Sequence, residues 1–410
     1  MPAGADLGKR NIYNPSENYR PGSRCGGTAG KMCKEGRNGA GRRRVARRTH
    51  GRGFAMSHAS TWILGAVLAV GGGASFWWLT QVQSNTMQSP QPTPTDSPDD
   101  KNEKPVPPKM TEFATGTDGK DTTAGVKFDA DRSMKYLKQL CDIGPRISAS
   151  EGMKKQQEII EKHFKDLGAT VTRQEFKARQ ASRKADTEMV NYIISWNPDK
   201  ERRIIICSHY DTRPIADQEA NKANWNKPFV SANDGTSGVA FMMELAHHMK
   251  DLKTEFGVDF VLFDGEEYVF ETTPFGGDKY FFGSEYFAEQ YAKTKGKRKF
   301  RYDAAILLDL FGGKDAVLKV EINSYTSAPK LVDQIWDVAK AIGAKSFKYE
   351  PGPEVQDDHL ALNQVGIPAI DIIDFKYPHW HKLTDTPDKV SGTQMAEVSK
   401  VITVWLQKIK

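Results

Sequence analysis

The sequence predicts an α/β domain with a mostly parallel, twisted central sheet, helices on both faces and a ligand site at the carboxyl ends of the strands. Two observations support this prediction. Short, continuously apolar segments alternate with segments of helical periodicity from about residue 128 to residue 410, which is typical of a parallel sheet covered on both faces. Acidic and histidine residues stand where several apolar segments end, and such sheets bind ligands beyond the carboxyl ends of their strands.

Two amphipathic helices open the predicted domain, over residues 131–141 and 153–167, because apolar residues recur there every three to four positions. Gly168 ends the second helix. Apolar and amphipathic segments then alternate as far as the C-terminus. Strands are predicted over 170–176, 189–196, 203–208, 258–263, 304–310 and 368–373, and helices over 238–249, 285–291, 328–342 and 394–409.

The N-terminal region carries much of the positive charge of this chain of 410 residues, whose formal net charge is +6. A basic run such as residues 42–48 can bind nucleic acid, but it is more typical of a solvated tail. We therefore expect a disordered basic tail over residues 1–57 and no nucleic-acid partner. Met56 is an alternative start of the chain, because it directly precedes an apolar stretch.

That apolar stretch predicts a transmembrane anchor or an export signal over residues 58–81. Residues 61–79 carry no charge and have aromatic residues near both ends, as expected of a membrane-spanning helix of ~20 residues. Arginines before it would keep that end cytoplasmic. The rest of the chain would then lie on the extracytoplasmic side, periplasmic or extracellular, or be secreted if the segment is cleaved.

A linker and a catalytic domain complete the predicted organisation. Residues 82–127 are rich in Pro, Ser, Thr and Asp and have few large apolar residues, so we expect a flexible tether. Residues 128–410 would form the catalytic domain. The sequence does not indicate which oligomeric state the protein adopts.

The most informative segment is the end of the strand 258–263, where Glu266 and Glu267 follow at adjacent positions. Successive side chains at a strand end point to different sides. One glutamate can therefore bind a metal ion while its neighbour carries a proton to or from the substrate. This division of labour suggests metal-assisted chemistry on an amide.

Further acidic and histidine residues complete a predicted metal site. His209 and Asp211 follow the strand 203–208, and Asp309 follows the apolar run of the strand 304–310. The other two members are Asp234, within residues 231–235, and His381, after residues 378–380. Each residue alone is weak evidence, but the whole set, with each member at a predicted strand end, is hard to obtain by chance. Mixed histidine and carboxylate ligands suit zinc and other divalent metals.

The segments around these residues resemble the motifs of the zinc aminopeptidase superfamily, which also contains the animal-type glutaminyl cyclases. The resemblance spans the predicted domain and implies zinc as the metal and the N-termini of peptides or proteins as substrates. It rests on residues 208–213, 233–239, 264–267, 307–310 and 380–385.

The segment from Gln356 to His359 and the tryptophan before His381 favour the bacterial cyclase-like branch, which converts an N-terminal Gln to pyroglutamate and releases ammonia. The resemblance then implies one zinc ion, a general acid and base, two aspartates that contact the reacting groups, and a tryptophan wall. His359 and Asp211 would orient their neighbours. The zinc ligands would be Asp234, Glu267 and His381, and Glu266 would be the general acid and base. Asp309 and Asp358 would contact the reacting groups, and Trp380 would form the wall.

Two alternatives stay open. A two-zinc aminopeptidase would bind one metal through His209 and Asp309 and the other through Glu267 and His381, with Asp234 between them. An inactive, membrane-tethered binding ectodomain would lack a ligand or the base, and none is missing. Two departures from the animal cyclases, at residues 271–273 and at position 371, concern the substrate pocket rather than the metal ligands.

Overall fold

The computed structural model describes residues 125–272 and 277–410. The predicted tail, the predicted membrane segment and nearly all of the predicted linker lie outside these residues. Within the described part of the chain, no helix combines the length and the apolar character needed to cross a bilayer.

A six-stranded sheet forms the centre of the described region. Its strands are β1 (Thr170–Ala178), β2 (Thr187–Trp196), β3 (Arg202–His209), β4 (Gly257–Phe263), β5 (Arg301–Asp309) and β8 (Ala369–Ile373). The spatial order is β1-β2-β4-β3-β5-β8. The four strands β4, β3, β5 and β8 are parallel, and β2 pairs antiparallel with both β4 and β1. The predicted α/β class with a mostly parallel sheet is thus confirmed.

Eight α-helices surround the sheet in the described residues. Each predicted helix is present, and the bounds differ by only a few residues at most ends. The helices are α1 (Ala130–Cys141), α2 (Glu151–Asp166), α3 (Thr236–Leu245), α4 (Phe282–Lys293), α5 (Ile322–Ser327), α6 (Pro329–Ala341), α7 (His359–Gln364) and α8 (Gly392–Lys408).

Four short elements were not predicted. The strands β6 (Leu318–Val320) and β7 (Phe347–Pro351) pair in a small parallel sheet, and α5 and α7 have six residues each. Segments of this length do not complete enough periods to separate a helix from a strand. Their existence depends on the longer elements around them.

Apolar side chains fill the space on both faces of the central sheet. On β3, Ile204 and Ile206 belong to the larger cluster with α1, α2, α3, α6 and α8, whereas Ile205 and Cys207 face the smaller cluster with α4 and α7. All seven residues of β4 are buried. The continuous apolar runs in the sequence therefore reflect strands that are covered on both sides.

The parallel strands bring their carboxyl ends to one edge of the sheet. His209 is the last residue of β3 and Asp309 the last residue of β5, and the two glutamates follow β4 after a turn at Gly265. The loops that precede α3 and follow β8 reach the same edge with Asp234 and His381.

Candidate active site

Six of the predicted residues form three overlapping clusters of potential metal ligands at this edge. The first contains Asp234, Glu267 and His381, the second His209, Asp234 and Asp309, and the third His209, Glu266 and Glu267. In each cluster the three ligand atoms lie within 4.8 Å of one another. Because Asp234 belongs to the first two, the geometry accommodates either one metal ion or two with a shared carboxylate.

The two histidines lie on opposite sides of Asp234. The Nε2 atom of His381 is 2.5 Å from Oε1 of Glu267 and 3.8 Å from Oδ2 of Asp234. On the other side, Nε2 of His209 is 3.1 Å from Oδ1 of Asp234 and 3.4 Å from Oδ1 of Asp309.

Buried oxygen atoms in these clusters fit a cation. Oδ2 of Asp234, Oε2 of Glu267 and Oδ1 of Asp309 are buried and accept no hydrogen bond from any described residue. A buried carboxylate oxygen without a donor is costly, and a divalent metal ion would remove that cost. Carboxylate oxygens and imidazole nitrogens together are donors that zinc accepts.

The two adjacent glutamates have opposite electrostatic surroundings. Burial favours a raised pKa for Glu267, but the charge and hydrogen bond of His381 outweigh it and lower this pKa to about 2. The pKa of Glu266 is raised well above its usual value by burial, helped by the negative charges of Glu267 and Asp357. Two carboxyl groups of different proton affinity at adjacent positions suit a ligand and a proton carrier.

The backbone around Asp234 is fixed by its neighbours. Asp385 is buried, and its carboxylate accepts hydrogen bonds from the backbone N–H groups of Asn233 and Asp234. Gly235 has a φ of 73°, and a Cβ atom there would lie 2.6 Å from Cε1 of His209. Only glycine therefore brings this turn so close to the imidazole.

The turn with the two glutamates is also fixed from outside β4. The carboxylate of Asp211 accepts hydrogen bonds from the backbone N–H groups of Glu266, at 3.2 Å, and Glu267, at 3.1 Å. Asp211 therefore orients the backbone of both glutamates.

His381 is held in place by hydrogen bonds that involve Arg213 and residues 216–219. Oδ1 of Asp217 is 2.9 Å from Nδ1 of His381, and Arg213 donates to both carboxylate oxygens of Asp217. The N–H of Gln218 donates to the carbonyl of His381, and Glu219 accepts from the N–H of Leu383. We call this arrangement the His381 brace.

Sequence reasoning did not predict the brace, because Asp217 lies in an ordinary polar loop and meets His381 only through the fold. The brace also reaches the cavity wall. Arg213 donates to the hydroxyl of Tyr280 at 2.8 Å and lies 3.9 Å from Oε1 of Glu267.

A cavity of about 300 Å³ opens beside the ligands. Trp380 forms part of its wall, and the Trp380 ring lies 4.1 Å from the ring of His381 and 4.9 Å from the ring of Phe375, between centroids. We call this space the catalytic cavity. Its lining residues include Glu266, Glu267, Tyr280, Phe281, Asp309, Asp357, Phe375, Trp380 and His381.

The structure places Asp357, rather than the predicted Asp358, on the wall of the catalytic cavity. Asp358 is completely buried behind it and its N–H donates to Oδ1 of Asp357. Both residues directly precede α7, where successive side chains point in different directions, so only one faces the cavity. His359 is buried with Nε2 at 3.3 Å from Oε2 of Glu321. Asp371, in the middle of β8, is also buried and accepts no hydrogen bond from described residues.

Comparison with known proteins identifies the family. The model of peptidase family M28 matches residues 191–406. The chain belongs to peptidase family M28. The predicted membership of the zinc aminopeptidase superfamily is thus confirmed, and the comparisons identify the chain as an enzyme.

Relatives of this M28 protein include both cyclases and exopeptidases. The crystal structure of the Fimbriiglobus ruber glutaminyl cyclase is 56% identical, with a TM-score of 0.69, over 70% of this chain and 97% of that one. A leucine aminopeptidase precursor from Bacteroides thetaiotaomicron is 30% identical, with a TM-score of 0.64, over 70% of this chain and 99% of that one. The glutaminyl-peptide cyclotransferase of Bos taurus is 23% identical over 53% of this chain, and the match spans 65% of the bovine protein.

Proposed function

We propose that this M28 protein is a zinc-dependent glutaminyl-peptide cyclotransferase, which converts the N-terminal Gln of peptides to pyroglutamate and releases ammonia. The observation that carries the proposal is the 56% identity to the Fimbriiglobus ruber glutaminyl cyclase over 97% of that chain. The ligand clusters support metal chemistry but are compatible with more than one reaction. A cavity of about 300 Å³ beside Glu266 and Trp380 suits a single small N-terminal residue.

In the proposed reaction, Asp234, Glu267 and His381 would hold the zinc ion, which supplies a Lewis acid for the side-chain amide oxygen of the substrate. Glu266 takes a proton from the α-amine while the amine nitrogen attacks the side-chain carbonyl carbon. The bond between that carbon and its amide nitrogen then breaks. Glu266 returns the proton to the leaving nitrogen, and ammonia departs.

The remaining polar and aromatic groups of the catalytic cavity would position the substrate. Asp309 and Asp357 face the cavity and would accept hydrogen bonds from the α-amine. Asp358 would act through Asp357, whose Oδ1 accepts a hydrogen bond from its N–H. Trp380 would pack against the apolar part of the Gln side chain.

A two-zinc aminopeptidase is the second candidate, and two observations favour it. His209, Asp234 and Asp309 form a complete second cluster beside the first, and the leucine aminopeptidase precursor is 30% identical over nearly its whole length. In that case Glu266 would activate water, and peptide-bond cleavage would replace cyclisation. A third candidate, an inactive binding ectodomain, is disfavoured because the expected ligands and the base come together at one site.

We also propose that residues 58–81 anchor the enzyme to a membrane or direct its export, with residues 82–127 as a tether to the catalytic domain 128–410. The uncharged stretch 61–79 and the basic residues before it support this proposal. The catalytic domain would then meet peptide N-termini on the extracytoplasmic side.

An assay of the full-length purified chain with two tripeptides tests the proposed function. Ammonia from Gln-Ala-Ala without leucine from Leu-Ala-Ala is the expected result, whereas free leucine would indicate an aminopeptidase. Glu266→Gln should lower kcat for ammonia release by roughly 100-fold or more. Glu158→Gln, the same change at an exposed position on α2, should leave kcat unchanged.

A further inference from the structure

A second cavity, of about 360 Å³, adjoins the catalytic cavity. The two cavities share Phe375, which lines both. We call the second space the downstream cavity. Its apolar lining comes from Val317, Pro353, Ile373, Phe375 and Pro378.

The downstream cavity exposes apolar side chains to an unusual degree for this protein. Val317 is 41% exposed and Phe375 is 38% exposed, and no other large apolar side chain in residues 125–272 and 277–410 is comparably open. Both side chains line the same cavity. Scattered exposed apolar residues need no explanation, but two that share a cavity next to an active site mark a binding surface.

The cavity is built on the same sheet edge as the active site. Ile373 is the last residue of β8, and the N–H of Val317 donates to Oδ2 of Asp374 at 3.1 Å. Phe375 packs on Trp380, with 4.9 Å between ring centroids. These contacts hold the apolar wall of the downstream cavity next to the predicted wall of the Gln pocket.

We propose that the downstream cavity binds an apolar side chain of one of the two residues that follow the N-terminal Gln. The inference rests on the proposed function, since a peptide whose first residue fills the catalytic cavity continues past the shared ring of Phe375. An extended peptide advances about 3.3 Å per residue, so its second and third side chains come within reach of the neighbouring cavity.

The charges around the downstream cavity indicate selection by apolar character rather than by charge. Asp315 and Asp374 contribute acidic groups, and Lys319 and Lys376 contribute basic groups, all among its lining residues. Neither sign predominates, so an acidic or basic side chain in the peptide gains little.

Initial-rate measurements with the full-length chain test this inference. The substrates are Gln-Ala-Ala, Gln-Leu-Ala and Gln-Ala-Leu amides, followed by ammonia release. We expect one of the leucine peptides to exceed Gln-Ala-Ala in kcat/KM by about tenfold. The gain should come from a lower KM at similar kcat, because burial of the leucine contributes equally to binding in the ground and transition states.

The variant Val317→Ser should reduce this preference to about threefold or less. Val338→Ser, the same change in a different apolar groove between α6 and α8, should retain the full preference. Equal kcat/KM for all three peptides, or a full preference in Val317→Ser, would overturn the inference while the proposed function stands. Absence of ammonia from every peptide would refute the proposed function and the inference with it.

Discussion

The backbone of His381 adopts a left-handed conformation, with a φ of 52°, which is costly for a residue with a β-carbon. The His381 brace compensates this cost by hydrogen bonds to the ring, to the carbonyl of His381 and to the following loop. Asp217 has a further effect, because its bond to Nδ1 leaves Nε2 for a metal ion. Orientation of a ligand histidine by a carboxylate is a common way to raise metal affinity.

We predict that Asp217→Asn lowers the zinc affinity of the enzyme by about 10- to 100-fold. The charge that fixes the His381 ring is lost, although the amide can still accept one hydrogen bond. Competition with a chromophoric chelator measures this affinity directly. Asp166→Asn, at an exposed site on α2, is the control and should leave the affinity unchanged, whereas equal affinities for all three proteins would contradict a positioning role.

Gly235 offers a second test, because its role combines backbone freedom with a close approach to His209. Gly235→Ala should abolish most activity and destabilise the fold by about 2–3 kcal/mol, since its Cβ would clash with the imidazole. Chemical denaturation and the ammonia assay measure the two effects.

Gly366→Ala is the matched control for that change. Gly366 has a similar φ of 81°, but a Cβ atom there meets nothing within 4 Å. The Gly366→Ala variant should lose about 1 kcal/mol of folding stability from backbone strain alone and keep its activity. If both variants were equally active, contact with His209 would not matter for the site.

The clustering of the candidate metal ligands follows from the sequence because strand ends bring these residues together. His209, Asp309 and the two glutamates all follow apolar runs, and parallel strands end at one edge. Asp217 and Asp357 could not be assigned in the same way. Each stands in a loop, and its distance from the metal ligands depends on a loop path that no local pattern specifies.

Helix α3 connects the active site to the outer helical layer. Asp234 lies two residues before it, and near its other end Glu244 binds helix α1 through Arg132 and the N–H of Asp129. His248, one turn further on, also contacts Glu244. Burial alone would raise the pKa of Glu244, but these partners outweigh it and lower the pKa to about 2.

This pKa predicts how the packing of α1 on α3 depends on pH. Because the folded pKa of about 2 lies below the ordinary value of 4.5, the charged carboxylate stabilises the fold above pH 4.5, and this contribution is lost as the pH falls towards 2. Glu244→Gln should therefore cost about 2 kcal/mol at pH 7 and progressively less below pH 4.5.

Urea unfolding at several pH values measures that dependence. Glu158→Gln, at an exposed position on α2, should have no such pH-dependent cost. A constant difference between Glu244→Gln and the unmodified chain from pH 7 to pH 3 would show that the charge of Glu244 contributes nothing.

Long elements were predicted well because several periods of apolar residues report burial directly. The strands β3, β4 and β5 and the helices α2, α6 and α8 all have such patterns. The short elements β6, β7, α5 and α7 carry too few periods. Two of them lie beside residues to which we assign proposed roles, since Val317 directly precedes β6 and Asp357 and Asp358 directly precede α7.

The sheet as a whole explains why one architecture supports two reactions. Three parallel strands deliver ligands to one edge, and Asp234 stands between two possible metal positions. Because these ligand groups are compatible with both reactions, we expect the surrounding loops to decide between a cyclase and an aminopeptidase. In this chain those loops supply Trp380, Phe375 and Asp357 to the catalytic cavity.

The most direct test is the identification of the products that the full-length enzyme forms from a single peptide, Gln-Ala-Ala. Mass spectrometry and an ammonia assay together account for every atom of the substrate. We predict ammonia and a pyroglutamyl tripeptide with both peptide bonds intact. Free glutamine and the dipeptide Ala-Ala, without ammonia, would contradict the proposed function and establish an aminopeptidase.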